Sequence, residues 1–339
     1  MTIQIQQKPI GSVLFQYDLY PEKIESYGKV KKIYTSTGQY ALKETLMTEE
    51  DGDWFIHVMK RLERINFNYV IPVIPTKYGD FLLRYGDKVF YLMPWYEDHK
   101  EFRYPVEPEE VMAEEIAKLH SLTERTQDYS ESVLEDSHEA LRKRWGLRRI
   151  EMERYIDQIE MNEYYSPFEL TLLTHFQRTL FMANEAEQHL KAWFEGAKEK
   201  ESFRSVLCHG KPSRKHACFD KYGTAYLFNF EKAVLDTPSR DLALMFRHFF
   251  QSRPWDEHEG RHWLQLYEKQ FSLSEEEKHL FISYLAFPES IYQTVDTYMK
   301  KDGKMTEFQA VTQLERKILT MNRIHRFMNS IFPKNQNNG

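Results

Sequence analysis

The chain has 339 residues and a formal net charge of -6 at pH 7, with 41% hydrophobic and 29% charged residues. This length exceeds what one hydrophobic core usually serves, so we expect two lobes in a globular protein of ordinary composition. The negative net charge argues against a nucleic-acid-binding protein. The sequence contains no run of about 18 apolar residues, so no membrane span is predicted.

The cysteine content and the N-terminus indicate the compartment. The two cysteines, Cys208 and Cys218, are too few for a disulfide framework and fit a reducing environment. Met1 to Ile10 has no apolar run of signal-peptide length, so we expect no signal peptide and synthesis inside a cell.

The first third of the chain is predicted to form strands with one helix. Val30 to Thr35 and Gln39 to Lys43 are typical of a hairpin that turns at Ser36-Thr37-Gly38. Apolar residues at helical spacing predict a helix from Asp53 to Ile65.

A second hairpin precedes the predicted lobe boundary. Phe81 to Leu83 and Val89 to Met93 flank a turn at Tyr85-Gly86-Asp87, and Pro94-Trp95 ends the last strand before a charged linker. The predicted organisation is an N-lobe over 1–95, a C-lobe over 96–332 and a flexible tail over 333–339.

The C-lobe is predicted to be mainly helical. Pro108-Glu109-Glu110 is typical of a helix start, and Ser137 to about Met161 predicts a second helix. Ser166-Pro167-Phe168-Glu169 has the pattern of a capping box, Ser274 begins another capped helix, and helical sequence continues to Phe332.

Residues 205–243 change to short strands and turns, and they carry the most informative motifs. His209-Gly210 follows a short strand, Asn229-Phe230-Glu231 ends a later one, and Asp241-Leu242-Ala243 begins a helix. This order resembles the catalytic loop of aminoglycoside and choline kinases, where His-Gly-Asp, a later Asn and a second Asp follow one another. In the N-lobe, Tyr40-Ala41-Leu42-Lys43 resembles the strand lysine of kinase folds, and Tyr91-Leu92-Met93-Pro94 resembles the hinge strand.

The resemblance implies an α+β fold of the bilobal protein-kinase type, with a small N-lobe of antiparallel sheet plus helix and a larger, mainly helical C-lobe. Within that superfamily the chain is most similar to the CotS family of Bacillus spore coat proteins. That likeness implies a spore coat protein that is assembled from the mother-cell cytoplasm and has other spore coat proteins as partners.

The chain departs from the kinase pattern at the three positions that carry the chemistry. In the family, the loop Asp orients the substrate hydroxyl, and the Asn and the second Asp hold magnesium against the phosphates. The corresponding residues here are Lys211, His216 and Asn229. An ammonium accepts no proton, and an imidazole and a neutral amide are poor magnesium ligands. We therefore expect a catalytically inactive protein with no cofactor.

The remaining motif residues have an expected architectural role. The resemblance implies that His209-Gly210 forms a tight turn and that Asp241 accepts hydrogen bonds from this loop. Three interpretations of Lys43 are open: a phosphate-binding lysine, in which case ATP with magnesium is the cofactor, an exposed strand lysine, or one member of a relic ion pair with an acid of the N-lobe helix. Glu49, Glu50 and Glu63 are the candidate acids, and the sequence does not choose among them.

Three alternatives stay open at this point. An atypical small-molecule phosphotransferase would take metal ligands from shifted positions, namely Glu231, Asp236 or Asp220. A nucleotide or anion sensor without catalysis would bind through Lys43 and Lys211. A zinc site would use Cys208, His209, His216 and Cys218, whose types are suitable but whose spacing is not a usual zinc pattern.

Overall fold

The computed structural model of the chain describes residues 8–128, 131–200, 202–252, 256–300 and 305–333. The chain divides into two compact units, one formed by Met1–Glu115 and His209–Val234 and the other by Ile116–Cys208 and Leu235–Gly339. The segment that resembles a catalytic loop therefore belongs to the same unit as the N-terminal sheet. Of the predicted tail over 333–339, Pro333 alone lies within the described residues.

The first unit is built on an antiparallel sheet. Its elements are α1 (Lys8–Phe15), β1 (Lys23–Tyr27), β2 (Val30–Thr35), β3 (Gly38–Thr45), α2 (Glu49–Arg64), β4 (Leu83–Tyr85) and β5 (Lys88–Pro94). The strand order in the sheet is β1-β2-β3-β5-β4. The 209–234 segment adds a short hairpin, β6 (Ala217–Phe219) and β7 (Ala225–Leu227).

One face of this sheet is apolar and forms the core of the unit with α1. Val13 and Leu14 of α1 are fully buried, and they cluster with Ile33, Leu42 and Leu92 from the sheet. Alternate residues of a strand point to opposite faces, so this packing leaves the other face of β2, β3 and β5 to carry different side chains. The candidate site lies on that other face.

The hairpin and helix predictions for this unit are confirmed in type and corrected at their ends. The β2–β3 hairpin has the predicted position, but α2 begins at Glu49 because the Thr48 side chain accepts a hydrogen bond from the Asp51 amide and caps the helix. In the second hairpin, Tyr85 is the last residue of β4 and not part of the turn. The tight turn is Gly86-Asp87, with Gly86 at a φ of 61°.

The second unit is mainly helical, as predicted. In chain order it contains the end of α3 (Pro108–Thr123), β8 (Arg125–Asp128), α4 (Glu131–Glu160), α5 (Pro167–Lys198), β9 (Ser202–Cys208), β10 (Val234–Asp236, which starts in the first unit), α6 (Pro238–Ser252), α7 (Glu257–Gln270), α8 (Glu275–Ala286), α9 (Glu289–Met299) and α10 (Glu307–Ile331).

Helix ends and an aromatic cluster stabilise these helices. The predicted capping box at Ser166 and Glu169 is present, and Ser274 caps α8 with Glu277 in the same way. Phe246 is fully buried among aromatic rings, with Phe281 at 5.3 Å between ring centroids. Across the described segments, no helix combines the length and the apolar character that a membrane crossing requires.

Candidate functional site

The site-bearing face of the sheet follows from strand register. The register pairs Val30 with Lys43, Lys43 with Tyr91, and Lys32 with Ala41. Directly opposed residues of antiparallel strands point to the same side, as do residues two apart on one strand. These five side chains therefore share the face opposite the apolar core. Among them, Lys43 has the polar contacts that define the site.

The Lys43 ammonium is bound by two side chains of the 209–234 segment. Its Nζ lies 2.6 Å from Asn229 Oδ1 and 2.6 Å from Glu231 Oε1. The Lys43 and Glu231 side chains are only 15% and 17% exposed. Burial makes an ion pair in this position far less screened than a surface pair. The expected ion pair with Glu49, Glu50 or Glu63 of α2 is therefore wrong, because Lys43 pairs with Glu231 instead.

Two further donors hold the Glu231 carboxylate. The Tyr91 hydroxyl donates to Oε1 at 2.9 Å, and the Thr45 hydroxyl donates to Oε2 at 3.1 Å. Although burial alone would raise the pKa of Glu231, the Lys43 ammonium and these hydroxyls lower it below its ordinary value. The charge of Glu231 is thus balanced by Lys43, and both of its carboxylate oxygens accept hydrogen bonds from within the protein. We call Lys43, Asn229, Glu231, Tyr91 and Thr45 the lysine network.

The pKa of Lys43 is lowered as well, which for a lysine disfavours the charged form. Burial lowers the pKa of Lys43 first, and the positive charges of Lys211 and Lys29 lower it further, while Glu231 opposes them. A lowered pKa favours the charged form of Glu231 but disfavours that of Lys43, where burial is the largest cause. Because burial disfavours its charge, Lys43 depends on Glu231 as its counter-charge.

Backbone conformation fixes the two ends of the loop. Gly210 has a φ of 79°, and a Cβ at this position would lie 1.9 Å from the carbonyl oxygen of Lys232. Only glycine fits this close approach. Asn229 has a φ of 71°, in the left-handed region that asparagine tolerates better than most residues. The strained residue directs its amide oxygen at Lys43.

The histidines of the loop are used in its own hydrogen bonds. His209 is buried, its Nε2 donates to the Phe228 carbonyl at 2.9 Å, and its Nδ1 accepts from the Lys211 amide at 3.2 Å. His216 Nδ1 donates to the Lys211 carbonyl at 2.8 Å. Burial lowers the pKa of His216, and the ammonium groups of Lys43 and Lys211 add to this effect. Both imidazoles are therefore structural parts of the loop.

The residues at the three positions that differ from the kinase pattern, Lys211, His216 and Asn229, do not fit a magnesium ion. Lys211 brings a positive charge, and the Asn229 oxygen already accepts a hydrogen bond from Lys43. His216 offers a nitrogen where Mg²⁺ requires oxygens in near-octahedral geometry. Glu231, the carboxylate of this network, is neutralised by Lys43. No catalytic step through a metal can be derived from these groups.

Asp220 and Asp236, the other carboxylates that were candidates for metal binding, have partners elsewhere. Asp220 accepts from the Tyr222 and Thr224 amides in the β6–β7 turn, and Asp236 forms a 2.6 Å ion pair with Arg240. Each is thus committed to local structure.

The zinc hypothesis gains no support, because among the described residues His209, His216 and Cys218 of the first unit do not form a group of metal ligands. Cys218 Sγ donates to the Tyr96 carbonyl and Cys208 Sγ donates to the Thr237 carbonyl, each at 3.3 Å. In the portion of the chain that the structure describes, the one group of three metal-ligand side chains is His120, Cys208 and Asp241, all buried.

His120 and Asp241 belong to the second unit and form a buried pair there. His120 Nδ1 lies 2.7 Å from the Tyr267 hydroxyl, and its Nε2 lies 3.4 Å from Asp241 Oδ2. Both side chains are inaccessible to solvent. This contact gives Asp241 an architectural partner, while its expected hydrogen bonds to the loop stay a prediction.

Two comparisons of sequence identify relatives of the chain. The family model described as "Spore coat putative kinase YutH" matches residues 12–331. The endospore coat-associated protein YutH of Bacillus subtilis (strain 168) is 22% identical over 326 residues, which cover 94% of this chain and 91% of that protein.

Solved structures confirm the predicted kinase-like fold. An aminoglycoside phosphotransferase from Alicyclobacillus acidocaldarius superposes with a TM-score of 0.77 at 15% identity, covering 95% of this chain and 96% of that one. The AMP-bound spectinomycin phosphotransferase superposes with a TM-score of 0.64 at 13% identity, covering 97% and 99%. At such identities the likeness establishes the fold alone.

We predict that Glu231→Gln lowers the free energy of unfolding by about 2 to 4 kcal/mol, since it leaves a nearly buried ammonium without its counter-charge. Urea unfolding at pH 7 measures this change. Glu44→Gln is the matched control on the same strand as Lys43, because Glu44 pairs with the half-exposed Lys88 at 3.0 Å. It should cost about 0.5 kcal/mol or less. Equal losses in the two variants would contradict the buried pair.

The pH dependence of that difference follows from the lowered pKa of Glu231. A carboxylate with a depressed folded-state pKa contributes its full stability above the ordinary value of 4.5 and loses it as the pH falls through the lower, folded-state pKa. The difference in the free energy of unfolding between the wild type and Glu231→Gln should be constant from pH 7 to about 5 and should disappear as the pH falls below 4.5. A gap that stayed open in acid would exclude this origin.

Proposed function

Because the chain belongs to the YutH family of spore coat proteins with a kinase-like fold, we propose that it is a catalytically inactive member that serves the coat as a structural or interaction component. The observation that carries the proposal is the lysine network. The lysine that kinases direct at phosphates is bound here by Asn229 and Glu231 at 2.6 Å each.

Phosphoryl transfer needs a group that orients the nucleophile and negative oxygens that hold the metal. Lys211 reverses the charge at the first position, and Asn229 removes it at the last. Losing one such group commonly costs orders of magnitude in rate. Glu231 does not compensate, since its carboxylate is occupied by Lys43, Tyr91 and Thr45. These arrangements favour an inactive protein over an atypical phosphotransferase.

What the site retains is a set of contacts that stabilise the unit. Lys43 and Tyr91 stand on the sheet, whereas Asn229 and Glu231 stand on the 209–234 segment, so the network ties distant parts of the chain together. Trp54 of α2 adds a hydrogen bond to the Ala233 carbonyl at 2.7 Å. A rigid, folded surface is what a coat component needs, and it does not require turnover.

We predict no phosphotransfer with Mg-ATP. The purified protein, incubated with radiolabelled ATP, magnesium and a panel of small alcohols and aminoglycosides, should produce no more ADP or phosphorylated product than buffer. Asn229→Ala serves as the matched control for a contaminating kinase, whose background it would leave unchanged. Product formed by the wild type and abolished in Asn229→Ala would overturn the proposal.

We also predict that the protein reaches the spore coat without any chemistry at this site. The relative in Bacillus subtilis is an endospore coat-associated protein, and we propose assembly from the mother-cell cytoplasm together with other coat proteins. A tagged wild type and its exposed-loop variant Lys211→Ala should be recovered in equal amounts from coat extracts of purified spores. Recovery in the spore core fraction, or loss of the Lys211→Ala variant from the coat, would contradict this.

A further inference from the structure

A second lysine on the site-bearing face is buried in an unusual place. Lys32 of β2 is 7% exposed, although lysine is among the residues least often buried. It lies opposite Ala41, two residues from Lys43 on the neighbouring strand. Positions two residues apart on one face of a strand are separated by about 7 Å. Lys32 therefore stands beside the lysine network on the same face.

The ammonium of Lys32 is enclosed by aromatic faces and one carboxylate. Its Nζ lies 2.7 Å from Glu97 Oε1, 4.5 Å from the centroid of the Trp95 ring and 5.0 Å from that of the Tyr34 ring. Trp95 Nε1 donates to the same Glu97 oxygen at 3.0 Å. We call Tyr34, Trp95 and Glu97 the Lys32 cage. Cation–π contacts with the ring faces and the ion pair together hold the side chain.

The cage is itself fixed by neighbouring groups. Glu25 accepts hydrogen bonds from the Tyr34 and Tyr27 hydroxyls, each at 2.9 Å. The Tyr27 ring lies 5.8 Å from that of Trp95. Although the burial of Lys32 disfavours its charge, the hydrogen bond to Glu97 raises the pKa of Lys32 above its ordinary value. Lys32 is thus charged, and its ammonium is held in the Lys32 cage by several contacts.

This position matters for any ligand whose phosphates approach Lys43. A nucleotide extends its sugar and base well beyond its phosphates, and along this face the next same-side positions are Ala41 and Lys32. A purine ring would need the apolar and aromatic surface that the lysine now covers. To reach it, the ligand would have to break the ion pair with Glu97 and the contact with Trp95.

We infer that Lys32 is an intramolecular blocker that keeps adenine nucleosides off this face by occupying the Lys32 cage. The inference deepens the proposed function, since it adds a cause for the absence of nucleotide chemistry that is separate from the missing carboxylates. It also assigns Tyr34 and Trp95 as the surface that a nucleoside would contact once the lysine is gone.

Calorimetric titration with adenosine, in the absence of magnesium, tests the inference on the full chain. Lys32→Ala should bind adenosine at least about tenfold more tightly than the wild type, because the competing ammonium is removed. Lys31→Ala is the matched control, since Lys31 is the next residue on the strand, on the opposite face, and contacts Ser26 at 3.4 Å. It should behave as the wild type does.

A second variant protects the test against a folding defect in Lys32→Ala. Glu97→Gln removes the charged partner of Lys32 at a side chain that is 61% exposed, and it should give a smaller gain in adenosine affinity. Tight adenosine binding by the wild type, or a folded Lys32→Ala protein with no gain over Lys31→Ala, would overturn the inference. Either result leaves the proposed inactivity standing, because that fails only if phosphate transfer is observed.

Discussion

The ion pair between Lys43 and Glu231 is the constraint on which the rest of the site depends. It joins a strand of the N-terminal sheet to a segment that lies 188 residues later in the sequence, at a site with little access to solvent. Burial disfavours the charge of Lys43, and the ammonium groups of Lys211 and Lys29 add to that effect, so the lysine would be costly to bury without Glu231. Every other member of the lysine network either satisfies this pair or orients it.

This arrangement changes what the fold can do. A kinase site balances the charge of phosphates with a lysine and a metal, and holds the metal with carboxylates. Here the lysine is balanced from within, the loop carries an ammonium where a carboxylate is needed, and Lys32 covers the adjoining surface. The charges on this face are therefore balanced by partners within the chain, which is the physical basis of the proposed structural role.

Local signals allowed much of the fold to be predicted. The β2–β3 hairpin and the caps at Ser166 and Ser274 come from short-range chemistry, so the sequence indicates them directly. Helix α1 gives no local signal, because its apolar residues gain their stability from packing on the sheet. The apolar periodicity predicts α2 only from Asp53, because the Thr48 cap precedes the first apolar residue of the helix.

The sequence predicts which motif residues of the site differ from the kinase pattern, but it does not predict their side-chain contacts. Motif order identified Lys211, His216 and Asn229 without a structure. The partner of Lys43 was expected on α2, because sequence alone does not show that the residue two positions after Asn229 turns toward the sheet. Lys32 gave no signal either, since its burial depends on Trp95 and Glu97, more than 60 residues away.

Calorimetric titration of the wild-type protein with inorganic pyrophosphate, with and without magnesium, tests the central claim most directly. Pyrophosphate has no base to meet Lys32, so it probes the lysine network alone. If no oxygen ligands are free for a divalent ion, magnesium should leave the affinity unchanged or weaken it by competing for the anion. Tighter binding in the presence of magnesium, abolished in Asn229→Ala, would contradict the account.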